Sequence, residues 1–166
     1  YPEYTKFRYP KAGEVNSEIR VGVIDLADGA TRFFDTDTWN EGGDETEYIA
    51  LMDWTPAIDG EYYVWMARLN RDQNDLDLLY GDPASMDLEV VLEEKSDSWI
   101  DVETGFSDLD MGTLTFLDDD EHFVWRSDRS GYSHLYLYEN DGTYVRPLTS
   151  GDWDVTSFEG IDEAAG

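Results

Sequence analysis

The sequence has no cysteine. That excludes disulfides, thiolate catalysis and cysteine-based zinc sites, and leaves the compartment open. Lysine is nearly as scarce: Lys6, Lys11 and Lys95 are all of it, and 11 basic residues face 39 acidic ones, for a net charge of −28. A field of that sign repels nucleic acid and anionic membrane surfaces, so neither is expected as a partner. No apolar run reaches membrane-spanning length, and no secretory leader opens the chain. Confident helix signals are missing. So is a Gly-x-Ser-x-Gly elbow, the strand-to-helix turn that would present a catalytic serine. Without it the chain as given is expected to be non-catalytic, and no cofactor is expected.

What the chain does have is aromatic and β-forming. Aromatics make up 14% of the 166 residues and the hydrophobic fraction is 40%. Strong acidity usually accompanies disorder, but disorder needs few aromatic and β-branched residues, so that reading fails. A dense acidic shell with little Lys instead looks like adaptation to high salt, where self-repulsion is screened. A merely acidic marine or periplasmic protein is the rival explanation.

The stretch from His122 to Phe158 organises the rest. Phe123-Val-Trp125 and Leu135-Tyr-Leu-Tyr138 are apolar runs separated by the turn Ser127-Asp-Arg-Ser-Gly131, and Asn140-Asp-Gly142 is a hairpin signal leading to Thr143–Thr149. Three short strands joined by tight turns make an antiparallel meander. The unit recurs: Val64-Trp65 lies 60 positions before Val124-Trp125, each after an aromatic residue. A polar turn with an Arg (Arg71, Arg129) follows each run, and Trp39, Trp99 and Trp153 return at similar spacing. Self-similarity of this kind, with about four short strands per period, marks propeller blades. A β-sandwich also has regularly spaced strands but needs no Trp at matched positions, so the propeller is favoured.

Further strands are expected at Ile19–Leu26, Thr31–Phe34, Tyr48–Trp54, Tyr62–Ala67, Leu76–Tyr80, Leu88–Leu92 and Trp99–Val102. Thr113–Leu117 would extend the last of these, and Val155–Glu159 would open another unit. The fold class is therefore all-β, a partial β-propeller of about two and a half to three four-stranded antiparallel blades. The expected division is 1–38, the last strands of one blade; 39–95, a blade; 96–150, a blade; and 151–166, the first strand of the next. A chain that starts at Tyr1 rather than Met, and begins and ends in mid-blade, reads as a slice. It should expose a strand edge at each end, with edge-to-edge homo-oligomers as one consequence.

Candidate chemistry is thin. His122 and His134 stand at strand starts and are read as structural or surface residues. Asp35-Thr-Asp-Thr-Trp39 begins like a calcium loop, but Trp39 and Thr46 fall where ligands belong, and Asp118-Asp-Asp120 sits at a turn. No dedicated metal site is expected from either. Trp65 and Trp125 lie inside apolar strand runs and should pack between blades, each buried large side chain contributing roughly 1.5–3 kcal/mol. Trp99 and Trp153 should pack at blade edges. Arg71 and Arg129 should make a repeated structural contact with a carboxylate or carbonyl on a neighbouring strand. These six are repeat positions of the scaffold; no catalytic or substrate-binding residue is assigned.

Four segments carry a resemblance: Tyr9-Pro-Lys-Ala-Gly-Glu-Val-Asn-Ser17, Leu69-Asn-Arg-Asp-Gln-Asn-Asp75, Gly131-Tyr-Ser-His-Leu-Tyr-Leu-Tyr138 and Thr149-Ser-Gly-Asp-Trp-Asp-Val155. In this order and spacing they resemble the N-terminal β-propeller of the dipeptidyl peptidase IV family of serine peptidases, bacterial members especially. The resemblance implies an eight-bladed propeller, of which this chain would be a middle portion. It implies a C-terminal α/β-hydrolase domain as partner, a peptide substrate bound through the parent protein, and a secreted or periplasmic location. The family's enzymes release dipeptides, or in one branch tripeptides, from N-termini with Pro at the penultimate or corresponding position, and grip the free amine with a glutamate pair. Glu93-Glu94 lies in a different context, at the end of a blade's last strand, and does not inherit that role. A stand-alone module that binds protein or glycan is the alternative. The high-salt reading has its own check: the melting temperature should rise steeply with NaCl, and a flat profile would sink it.

Overall fold

In Val64-Trp-Met-Ala-Arg-Leu69 successive side chains point to opposite faces, and neither set is polar enough for water. A strand so built must be covered on both sides. The computed structural model describes residues 18–36, 48–102 and 112–162 and shows how. Among these residues the elements are β1 (Gly22–Ile24), β2 (Thr31–Phe33), β3 (Tyr48–Trp54), β4 (Val64–Leu69), β5 (Asp75–Gly81), β6 (Leu88–Lys95), β7 (Leu114–Phe116), β8 (His122–Ser127), β9 (His134–Glu139) and β10 (Tyr144–Pro147). β1 pairs with β2, β3 to β6 form a four-stranded sheet in chain order, and β7 to β10 form another. Every pairing is antiparallel between chain neighbours.

The central sheet is buried from both sides. Val64, Met66 and Leu79 pack against Val21 and Phe34 of the β1–β2 segment. The opposite face, with Leu69, Leu76, Leu78 and Tyr80, meets Phe123, Trp125, Tyr136 and Tyr138 of the last sheet. The far face of that sheet carries Val124 and Leu135, closed by Val155. Four-stranded meanders stacked face to face are blades, and the fold is a partial β-propeller.

Aromatic rings run as a chain through the interface of the two complete sheets. Tyr63 stacks on Tyr80 at 6.0 Å between centroids, Tyr80 meets Phe116 at 6.4 Å, and Phe116 meets the edge of Phe123 at 6.1 Å. Phe123 then stacks on Tyr138 at 5.3 Å, and Tyr138 meets Tyr144 at 5.5 Å. Offset and edge contacts of this kind contribute about 0.5–1.5 kcal/mol each beyond their burial.

Two expected strands are absent. Residues 99–102 form no strand; the first strand of the last sheet is β7, within the stretch expected only to extend it. The backbone N–H of Ile100 donates to the Gln73 carbonyl at 2.8 Å, and the Trp99 Nε1 to Gln73 Oε1 at 2.6 Å. The segment is thus tied to the loop between β4 and β5 instead of a ladder. Residues 155–159 likewise form no strand. The Val155 N–H donates to the Ser133 carbonyl at 2.8 Å and its carbonyl accepts from Arg126 Nη2 at 2.7 Å, so its polar groups are already committed. In both places the chain leaving a blade crosses that blade's middle hairpin.

The turn between β9 and β10 approaches the central sheet closely. Gly142 has φ +86°, and a Cβ there would lie 1.8 Å from the Val91 carbonyl oxygen. Only glycine meets both demands without moving a blade. Gly142→Ala should lower stability by about 2 kcal/mol or more in urea unfolding. An unchanged midpoint would show that the turn shifts freely.

Candidate functional site

Charged side chains inside a blade interface need partners, because an unpaired buried charge is strongly unfavourable. Glu94, near the end of β6, is only 9% exposed and lies against the neighbouring sheet. Three groups from β8 and the loop after it converge on its carboxylate. Trp125 Nε1 donates at 2.8 Å, Ser127 Oγ at 2.5 Å and Arg129 Nη2 at 3.3 Å. Arg129 also donates from Nε to Ser127 Oγ at 3.0 Å and from Nη1 to the Tyr138 hydroxyl. Its guanidinium carbon stands 4.5 Å from the Tyr136 ring centre and 5.6 Å from that of Tyr138. Burial works against the Arg129 charge, but Tyr138 and Glu94 outweigh it and hold the guanidinium above its ordinary range. Burial likewise pushes the Tyr138 phenol up, against the pull of Arg129. Near neutral pH the group is therefore a cation with a neutral phenol beside it.

Above this cluster lies a cavity of about 470 Å³, lined by Glu94, residues 96–101, Asp128, Arg129 and Gly131. One guanidinium and an exposed indole, Trp99, stand among the carboxylates of Asp97, Asp101 and Asp128. Such a set can hydrogen-bond and orient a polar chain. Neither histidine lines it.

The six tryptophan and arginine positions separate in the structure. Trp125 is buried, and Trp65 packs against the same cluster. They come from facing sheets, however: Trp65 looks forward to the last sheet and Trp125 looks back. A true blade-to-blade repeat returns a residue to the same face, so the 60-residue spacing does not mark one repeated position. Trp99 is 63% exposed and Trp153 50% exposed. Both follow the last strand of a blade, and Trp153 stands edge-on to His134 at 5.1 Å. Arg129 contacts the neighbouring blade as described, while Arg71 is exposed in the loop between β4 and β5.

His134 is buried and bonded on both ring nitrogens, to Thr149 Oγ1 at 3.0 Å and the Gly151 carbonyl at 2.9 Å. His122 Nδ1 contacts Asp119 Oδ2 at 2.6 Å. Burial would raise the Asp119 carboxyl, but hydrogen bonds from the Glu121 N–H and from His122 bring it below the usual range. The calcium-like loop that starts at Asp35 falls largely outside the described residues, as does Trp39. Among the described residues, no group of three His, Asp or Glu side chains is placed to hold a metal ion.

Sequence reasoning missed Glu94 and a second buried ion pair. Arg68 Nη2 meets Asp77 Oδ2 at 2.5 Å across the β4–β5 ladder, and its Nη1 donates to the Thr36 carbonyl at 2.6 Å. Burial lifts the Asp77 carboxyl even against the pull of Arg68. The signal was present: Arg68 and Asp77 each interrupt a run of apolar residues on strands buried on both faces.

With a partial propeller and an inter-blade site in view, comparison with known proteins places the chain. The family model for the dipeptidyl peptidase IV (DPP IV) N-terminal region matches residues 1–166, and the chain belongs to that family. It is 30% identical over 98% of its length to a protein from Emericella nidulans named "Probable dipeptidyl peptidase 4", covering 21% of that protein. A protein of the same name from Aspergillus flavus is 29% identical, again over 98% of this chain and 20% of the relative. The crystal structure of Porphyromonas gingivalis dipeptidyl peptidase 4 superposes with a TM-score of 0.76 at 32% identity, over 98% of this chain and 21% of that one. The chain thus spans about a fifth of the length of these relatives.

Alanine at Glu94 would leave the indole, the hydroxyl and the guanidinium without their shared acceptor. Glu94→Ala should destabilise by about 3 kcal/mol, and Arg129→Ala by about 1 kcal/mol because Arg129 is partly exposed. The double variant should lose less than the sum in chemical unfolding. Strict additivity would show that the two residues do not act as one contact.

Proposed function

We propose that this chain is a non-catalytic segment of the propeller of a dipeptidyl peptidase IV-like serine exopeptidase. Its parent would remove X-Pro dipeptides, or related short peptides, from N-termini. The observation that carries the reading is the match of the whole chain to the family's N-terminal region, with a solved dipeptidyl peptidase 4 alike in both fold and sequence. The geometry agrees with a scaffold: buried charges are taken up in joints between blades, and the Glu94–Arg129 cavity offers hydrogen-bonding contacts for a peptide.

In this reading the chemistry belongs to an α/β-hydrolase domain elsewhere in the parent, and the propeller restricts entry to short chains. The blades divide at about 39, 96 and 151, and the six tryptophan and arginine positions serve the scaffold. A secreted or periplasmic location follows from the family, and the acidic shell suits a salty exterior. The test is an amidase assay on Gly-Pro-p-nitroanilide. The full-length protein should release the chromophore, and the 166-residue chain should not. Turnover by the chain alone would overturn the division of labour, and a full-length protein inert toward X-Pro substrates would overturn the peptidase reading.

A further inference from the structure

The interface that holds Glu94 at one end opens into a second cavity, of about 480 Å³, at the other. It lies where the β3–β4, β7–β8 and β9–β10 turns meet. Six carboxylates line it, those of Asp59, Glu89, Asp120, Glu121, Glu139 and Asp141, and no Lys or Arg is among the described residues around it. Acidity alone would mean little in a chain of net charge −28. Two buried groups make this cavity different.

Tyr80 is 6% exposed and Asn140 7% exposed, both line the cavity, and Tyr80 Oη and Asn140 Oδ1 have no hydrogen-bond partner. The Asn140 amide is not free to turn around. Its Nδ2 donates to the Asp120 carbonyl at 2.9 Å, so Oδ1 is the atom left over. Its backbone N–H is engaged as well, with the Glu121 carbonyl at 2.9 Å. Buried polar atoms without partners are rare in folded proteins, and each is unfavourable by about 1–3 kcal/mol. A ligand that brings donors would satisfy the Asn140 oxygen and give the Tyr80 oxygen a donor to accept from.

We propose that this cavity binds a guanidinium group, carried either by a small free molecule or by an arginine side chain of a peptide. The donor set decides the chemistry. A guanidinium brings five N–H donors in a plane, is weakly hydrated, and lies well against aromatic faces. The half-buried Tyr63, backed by Tyr80 with 18° between their planes, supplies such a wall, and Asn140 Oδ1 and the carboxylates supply acceptors. An ammonium is a compact, strongly hydrated charge that uses neither the wall nor the spread of acceptors. A bare metal ion is served worse, since no three ligands converge among the described residues. The site is independent of the peptidase reading, because it requires only the blade interface.

The experiment is calorimetric titration of the full-length protein at about 0.15 M NaCl, where long-range attraction to the acidic surface is screened within roughly 8 Å. The probes are agmatine and a blocked Gly-Arg-Gly peptide, with cadaverine and the Gly-Lys-Gly peptide as ammonium counterparts. At least one guanidinium probe should bind, and it should bind more tightly than its counterpart. Agmatine alone would identify a small-molecule site, and tighter binding of the arginine peptide a peptide site. The double variant Glu89→Gln, Glu139→Gln, at two exposed positions, should weaken binding about tenfold or more. Asp25→Asn with Asp28→Asn removes the same charge from the β1–β2 turn and should change it less than about twofold. Tyr80→Phe should weaken binding while the melting temperature holds or rises, because the lost hydroxyl had no partner. Equal effects of the two double variants would reduce the attraction to general acidity and overturn the site. Ammonium probes binding as well as guanidinium ones would overturn the ligand assignment.

Discussion

A single carboxylate closed between two sheets governs how this molecule is put together. Glu94 comes from the last strand of one blade, and its three donors come from the second strand of the next blade and the loop after it. Apolar packing between the sheets is strong but tolerant: rings and aliphatic chains can slide by an ångström and still exclude water. A buried carboxylate that needs an indole N–H, a hydroxyl and a guanidinium together is not tolerant. It allows one register of blade on blade, because any other leaves a charge without donors in a dry environment. The aromatic chain from Tyr63 to Tyr144 supplies attraction across the same surface, and Glu94 supplies the choice of alignment.

That alignment explains why the two cavities are where they are. Flat contact is confined to the middle of the strands, where Leu78, Tyr80, Phe123 and Trp125 fill the gap. Toward the strand ends the contact gives way to the two cavities. Polar loops then border the openings. One opening receives the crossing segment with Trp99 and the cation of Arg129; the other receives turns rich in Asp and Glu. The same packing thus yields an end with a charge pair and an end with carboxylates and two buried polar atoms without partners.

The strands were legible because their signal is local. Short apolar runs of β-formers, set off by turns and polar loops, place β2, β3, β5 and β9 to within a residue or two. The two failures share a cause. Residues 99–102 and 155–159 have the apolar and β-branched content of strands, but a ladder needs a neighbour, and their backbone groups are taken by the loops they cross. The matched Val-Trp pairs misled for a reason of parity. Both tryptophans reach one interface, from opposite sheets, and sequence spacing alone does not say which face of a sheet a residue takes. Glu94 was illegible because it follows Glu93 and looks like one more surface acid, while its donors lie 31 to 35 positions further along.

The scarcity of basic residues sharpens the pattern. Among the described residues, arginines stand at the joints. Arg32 on β2 donates to the Pro83 and Ala84 carbonyls of the central sheet's turn at 2.6 Å and 2.9 Å. Arg68 returns the contact from β4, bonding the Thr36 carbonyl and Asp77, and Arg126 holds the Val155 carbonyl with one nitrogen and Ser133 Oγ with another. Arg129 joins Glu94 to Tyr138. Each of these side chains engages two partners at once, and several of the acceptors are backbone carbonyls at chain crossings rather than carboxylates. A planar fork of five donors can do this and an ammonium on a flexible stem does so poorly. Lys95, by contrast, is exposed and pairs with one carboxylate, Asp75, at 3.0 Å. In a chain where almost any surface cation would find an acid nearby, bridging geometry rather than charge balance accounts for where Arg32, Arg68, Arg126 and Arg129 sit.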